Sequence, residues 1–406
     1  MTYYICDMLR AAFVSILLLF TGSLFSQGKL SDQAEISIIT CGPGPALYSG
    51  FGHTAIRIHD PGANYDAAYN YGMFDFRAPN FYFKFARGKL PYWLSKAPFQ
   101  IFIQEYLNEG RYVKEQLLNL TADQKQAIFE FLEENAKEEN KYYAYDFFFD
   151  NCATRPRDVL VDVLGTDLNL HEHPDAQEVS FRDIIDEYLV ANPWADLGID
   201  LILGGVIDRP VTNEELMFLP DYVFEILEES TITRNGTEEP LVIRSEVLYE
   251  GKDHSGSGGG LHPSWIFWGL SILVMGISFL RIYRPIYVLD ITLFTIFGLL
   301  GILVLFMWVG TDHQATAQNW NLLWTHPLLL LLIPLLFVKK WFRWSHKVFL
   351  TLAVIMGILI LADPIIPQQF NGAVKPLIIA LGFRYYNLFK WSKAEALVQH
   401  AKKRAR

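Results

Sequence analysis

Residues Tyr145–Leu160 read YDFFFDNCATRPRDVL, and the cysteine inside them decides what kind of domain surrounds it. Cys152 follows an acidic, aromatic run and precedes RDVLVDVLG, a helical pattern that Gly165 closes. A thiol at a helix start feels positive potential, which favours the thiolate. Pro156 works against a regular start, because it has no N–H to offer the Cys152 carbonyl. Taken alone, such a cysteine is equally a small buried residue, or half of a disulfide with Cys41. The upstream sequence has to choose.

Upstream, EISIITCGPG reads as a β-branched strand ending in a turn, and HTAIRIHD alternates like a half-buried strand. YDAAYNYGMFDF is its expected partner across the turn DPGAN. His53 opens the second of these strands directly behind Gly52. A cysteine at a helix start and a histidine at a strand start suit a thiol nucleophile with an imidazole base. A third group should orient the imidazole; Asn70 in the partner strand is the first choice and Asp75 the second. Two helices then frame the pattern, TADQKQAIFEFLEENAKEEN behind a Thr cap and SFRDIIDEYLVANP. The expected domain is α+β, about 200 residues long. His171 and His173, in HEH before Pro174, read as a solvated loop, and no metal site is called for.

The chain changes character after this domain. From Lys29 to His262 it has 19 Lys and Arg against 39 Asp and Glu, whereas from Pro263 to Arg406 it has 14 against 4. An acidic soluble half joined to a basic, apolar half reads as an exported domain on a membrane anchor and excludes a nucleic-acid partner. Residues 1–27 read as a signal peptide, 28–250 as the soluble domain, 251–263 as a flexible linker, 264–390 as membrane helices and 391–406 as a basic tail. Five spans are expected, near Trp265–Leu280, Tyr287–Val309, Leu322–Val338, Val348–Leu361 and Pro376–Phe389. The loops RIYRP and KKWFRWSHK are basic, and GTDHQATAQNWN and ADPIIPQQFNGA have no Lys or Arg. The positive-inside rule then puts the soluble domain outside and the tail in the cytoplasm.

Four stretches in order, CGPGPALYSGFGHTAIRI, YNYGMFDF, FYFKFARGKLPYWL and YDFFFDNCATRPRD, resemble the N-terminal periplasmic domain of the Lnb-type bacterial lipoprotein N-acyltransferases. The likeness continues past the linker in GTDHQATAQNWNLLW and the membrane spans. It implies a bacterial inner-membrane protein whose catalytic domain faces the periplasm, with Cys152 as nucleophile and His53 as base. The order His then Cys is also similar to the permuted papain-like (NlpC-type) enzymes, which pass acyl groups through a thioester. The implied reaction takes an acyl chain from a phospholipid and gives it to the α-amino group of a diacylated lipoprotein, without a cofactor. Within these motifs Tyr48 and Arg155 are expected to line the substrate site.

Two further regions suit lipid substrates. FYFKFARGKLPYWL puts Lys84, Arg87 and Trp93 where a basic, aromatic segment could lie on an anionic lipid surface; a core helix with snorkelling bases is the plain alternative. The outward loop carries Asp312, His313, Asn319 and Asn321, polar groups beside two spans that could hold a headgroup or the acceptor. Two other functions fit the same residues: a membrane-anchored cysteine peptidase or amidase acting on cell-wall peptides, and a scaffold stapled by a Cys41–Cys152 disulfide.

Overall fold

The alternation in residues 35–73 builds three consecutive antiparallel strands, β1 (Glu35–Cys41), β2 (His53–Asp60) and β3 (Tyr65–Met73). The computed structural model describes residues 28–252, 260–280 and 285–404; the expected signal peptide, most of the linker and the basic 281–284 loop lie outside them. Further strands are β4 (Pro91–Pro98), β5 (Val113–Leu118) and β6 (Tyr142–Ala144). β7 (Leu168–Asn169), β8 (Thr231–Arg234) and β9 (Thr237–Pro240) form a separate small sheet, and β10 (Val242–Tyr249) returns to the large one. The large sheet has seven strands in the order β10-β5-β1-β2-β3-β4-β6.

Side chains alternate between the faces of a strand, and the two faces have different covers. Ile36, Ile38, Ile56, Ile58, Tyr69 and Tyr71 join the main core. That core also takes in the apolar sides of helices Ala122–Asn135, Thr154–Leu164, Phe181–Leu189 and Pro220–Glu229. Ile39, Cys41, Ala55 and Ala68 point the other way, onto Phe99, Phe102 and Tyr106 of helix Phe99–Glu109. Period two therefore puts His53, Asn70 and Gly72 on this second face. Three helices start at capping boxes, Thr121 with Gln124, Ser180 with Asp183 and Thr212 with Glu215, which satisfy N–H groups left free by the first turn.

In the second half, helices Pro263–Leu280 and Tyr287–Val309, together with Trp344–Leu361 of helix Phe342–Leu361, are long and apolar enough to cross a membrane. The expected third span, Leu322–Val338, is not one helix. It runs as a turn of helix, Leu322–Thr325, and then as 3-10 turns Pro327–Leu332 and Pro334–Leu336. Pro327 and Pro334 each remove an N–H and block the preceding helical turn. Backbone of this kind is tolerated at membrane depth only when protein covers it. Leu329, Leu332, Leu335 and Leu336 are buried, and Gly301 lets helix Tyr287–Val309 close in: a Cβ there would stand 1.4 Å from the Thr325 carbonyl oxygen. The expected fifth span lies within the 30-residue helix Lys375–Arg404. There Arg384 meets Asp290 of helix Tyr287–Val309 in a two-pronged pair, 2.5 and 2.8 Å, with both side chains fully buried.

Candidate active site

His53 stands at the start of β2 with Nε2 2.5 Å from Asn70 Oδ1. An amide oxygen accepts, so Nε2 carries the hydrogen and Nδ1 is left as the basic nitrogen. The ring stacks on Tyr106, centroids 6.1 Å apart and planes 21° apart. Burial lowers the His53 pKa to about 4; the bond to Asn70 opposes this and the nearby Arg111 charge adds to it. His53 is therefore neutral at neutral pH.

Cys152 owes its position to its neighbour. Asn151 Oδ1 accepts from the N–H groups of Ala153 (2.7 Å) and Thr154 (2.9 Å), while Thr154 Oγ1 accepts from the Asn151 N–H (2.8 Å). The Asn151 carbonyl takes the Arg155 N–H at 3.2 Å. These are the bonds of a helix cap, so Cys152 is the first residue of the turn although the regular helix begins at Thr154. The missing Pro156 N–H thus costs only the Cys152 carbonyl its partner, and the turn is closed by asparagine. Asn151 Nδ2 ties the cap down further, donating to the carbonyls of Phe147 (2.6 Å) and Phe218 (2.8 Å).

The backbone N–H of Thr54, next to His53, and the N–H of Cys152 itself act on the half-buried thiol of Cys152 to favour its thiolate. Burial pushes its pKa up to about 11, and these two N–H groups and Arg111 only partly offset that. Gly72 packs beneath it with φ +89°; a Cβ there would lie 3.3 Å from Cys152 Cβ and 3.6 Å from Tyr145 Cε2. Continuing the β2–β3 register beyond Ile56↔Tyr69 sets His53 across from Gly72. Cys152 accordingly lies against the strand ends that carry His53 and Asn70. The thiol is thus protonated and the imidazole neutral near pH 7, so neither rests as an ion. Cys41 is a second free thiol, fully buried, and burial raises its pKa far above the ordinary range. With both cysteines free, the disulfide of the scaffold alternative is absent.

The other expected residues divide. Asp75 is engaged by its neighbour, accepting from the Arg77 N–H at 2.8 Å. Tyr48 is exposed, edge-on to Phe74 and Phe76. Arg155 is committed to Asp150 (NH2 to Oδ2 2.5 Å) and lies 4.3 Å over the Tyr143 ring. Lys84 sits on helix Phe81–Ala86, Arg87 caps its end, and Trp93 is on β4 against Tyr142. Two regions expected separately meet here. The Arg87 carbonyl accepts from the Asp312 N–H (3.0 Å), Lys89 Nζ is 3.6 Å from Asp312 Oδ2, and His313 Nε2 donates to the Phe85 carbonyl (3.0 Å).

Asn319 and Asn321 are buried and their amides are already engaged. Asn319 Nδ2 donates to the carbonyls of Leu201 and Ile202 (2.9 and 3.0 Å), and Asn321 Nδ2 to that of Asp200 (3.1 Å), at the end of helix Pro193–Ile202. Gln368 and Asn371 extend this seam, to the Leu203 carbonyl (3.1 Å) and to Asp196 and Asp200 (2.8 and 2.9 Å). Among the described residues, Asp186, Asp196 and Asp200 are the group whose ligand oxygens come close enough to share a cation. They line a cavity of about 230 Å³ at the seam whose walls include neither Cys152 nor His53. Sequence reasoning missed Asn151, Gly72, Tyr106 and Arg111. Of these, Asn151 was readable as an Asx cap three residues before Thr154.

Residues 29–187 match the Lnb N-terminal periplasmic domain, and residues 254–395 match the Lnb transmembrane domain. No curated protein and no solved structure matches the chain. With a globular domain and a multi-span membrane domain each matched in order, the chain belongs to the Lnb family.

Proposed function

We propose that this protein is a membrane-anchored thiol acyltransferase, moving an acyl chain from a phospholipid to the α-amino group of a diacylated lipoprotein's N-terminal cysteine. Membership of the Lnb family points to lipoprotein N-acylation by an acyltransferase-type enzyme. The observation that carries the finer reading is the placement of Cys152 on an Asn151-capped turn, against strand ends where His53 is held by Asn70.

In the first half-reaction Cys152 Sγ attacks the ester carbonyl as His53 Nδ1 takes the thiol proton. The carbonyl oxygen becomes an oxyanion near the N–H groups of Cys152 and Thr54, which stabilise it without reorganising. The ester C–O bond then breaks, the imidazolium returns its proton to the lysolipid oxygen, and an acyl-thioester remains. In the second half-reaction the lipoprotein amine attacks that thioester. An α-amine titrates near pH ~8, so a useful fraction is unprotonated. The C–S bond breaks, His53 accepts the surplus amine proton and returns it to the departing thiolate, and the product is an amide. Neither half calls for a metal or coenzyme.

Both substrates are held in a bilayer, which suits the contact of segment 85–89 with the membrane-domain loop at Asp312 and His313. That contact favours lipid over cell-wall peptide as substrate. Loops 311–321 and 363–373 both touch the soluble domain, which fits five crossings with a periplasmic catalytic domain and a cytoplasmic tail. The test is expression in cells lacking their own lipoprotein N-acyltransferase, followed by mass spectrometry of a lipoprotein N-terminus. A third acyl chain is expected with the wild type and not with Cys152→Ala or His53→Ala. If Cys152→Ala still adds the chain, the nucleophile is misassigned.

A further inference from the structure

A small aromatic cluster is separate from the large cores. Its rings form an unbroken series. Phe85 stacks on Phe81 (6.1 Å, 13°), Phe81 on Phe74 (5.9 Å), Phe74 meets Tyr92 (5.3 Å), and Tyr92 stacks on Tyr145 (4.3 Å, 20°). The inner end is at the site, because Tyr145 and Cys152 both crowd Gly72. The outer end is at the membrane. The Phe85 carbonyl is bonded to His313, in the loop that follows the apolar helix ending at Val309.

Burying aromatic rings explains the middle of this series but not its outer end. Phe85 is 52% exposed, and its helix neighbours Tyr82 and Phe83 are 83% and 60% exposed. Exposed apolar rings beside membrane-spanning helices have a natural apolar cover in the bilayer. Lys84 lies among them, a cation suited to a lipid phosphate. Flat, rigid rings in succession offer an acyl chain contact along its length at little cost in side-chain entropy.

We infer that this aromatic series is the track along which the acyl chain of a membrane phospholipid lies when its ester reaches Cys152. The inference rests on the acyltransferase reading and adds the part of the chain that selects long-chain lipid. Headgroup contact falls to Lys84 at the surface, and chain contact to the rings from Phe85 to Tyr145.

The test compares two acyl donors on the full-length protein reconstituted in vesicles of palmitoyl-chain phosphatidylethanolamine. Mass spectrometry follows palmitoylation of Cys152 by the vesicle lipid and, in separate samples, its acetylation by p-nitrophenyl acetate. The readout is the ratio of the two rates. Phe85→Ser takes an apolar ring out of the chain's path and should lower the ratio roughly tenfold, and Tyr92→Leu, which keeps an apolar side chain, should lower it several-fold. Both rates are measured on portions of one protein preparation, and Phe85→Ser, at an exposed position, serves as the variant whose fold is least disturbed. An unchanged ratio in Phe85→Ser, a site too exposed to matter for folding, overturns the track while leaving the acyltransferase reading in place. A wild type that is acetylated but never palmitoylated overturns that reading, and the track with it.

Discussion

His53 and Asn70 sit on neighbouring strands of one sheet face, with the imidazole Nε2 2.5 Å from the amide oxygen. The bond fixes the tautomer, holds the ring against Tyr106 and leaves Nδ1 to receive a proton. Asn70→Ala should therefore lower acyl transfer while sparing the fold. A hydrogen bond to a group that becomes charged during reaction is worth about 1.5–3 kcal/mol, or roughly 10- to 150-fold in rate. Asn70→Asp should keep the orientation but stabilise the imidazolium. The acid limb of the pH–rate profile, expected near the His53 value of about 4, should then move to higher pH. An unmoved limb would separate Asn70 from His53 function.

The thiol offers a second measurement. With its pKa pushed up to about 11 by burial, Cys152 should alkylate with iodoacetamide at a rate still rising at pH 10. A rate plateau beginning below pH 7 would mean a resting thiolate and an ion-pair mechanism instead.

Gly72 separates site geometry from bulk stability. Its φ of +89° strains any side chain there, and the 3.3 Å approach of Cys152 Cβ requires the cysteine to give by a few tenths of an ångström. Gly72→Ala should cost about 1–3 kcal/mol in strain. Alkylation of Cys152 in the folded variant should also change, since the thiol must shift.

At the seam, burial and the neighbouring Asp200 and Asp196 carboxylates push the Asp186 pKa up from 3.8 to about 8. Between those values the folded protein holds a proton that the unfolded chain has released. Stability attributable to this group is therefore full below pH 3.8 and is lost as pH rises toward 8. Asp186→Asn should raise the melting temperature more at pH 8 than at pH 5. An equal gain at both would show that Asp186 does not titrate in this window.

The Asp290–Arg384 pair carries a larger cost. Removing one partner of a fully buried pair strands the other charge, at about 3–5 kcal/mol. Asp290→Asn and Arg384→Gln should each lower thermal stability in detergent by that order. Changing both to apolar residues of similar size should recover most of the loss.

What the sequence made legible follows from range. β1 is rich in β-branched residues, and β2 and β3 are joined by a short turn, so local pattern suffices for them. The Thr121 and Ser180 helix starts are equally local. β5, VKEQLL, has no such alternation, and it joins the sheet only because it pairs with β1 and β10. The break in the third span was written in Pro327 and Pro334, but a continuous run of leucines outweighs two prolines in any reading by hydropathy. His53, Asn70 and Cys152 could be singled out by residue type and place. Asn319 and Asn321 looked available for a substrate because polar groups beside spans usually face water. Their partners, the carbonyls ending helix Pro193–Ile202, lie more than a hundred residues away.

The same seam governs how substrates arrive. Side-chain amides from two membrane-domain loops grip backbone carbonyls of the soluble domain, and the Phe85–His313 contact adds a grip elsewhere. Held at separate points, the soluble half is tied to the membrane domain and does not sweep the membrane surface. It is a fixed station, and its customers travel. On the proposed function, donor and acceptor would reach it by lateral diffusion within the bilayer, which makes membrane fluidity a variable of turnover as real as any side chain.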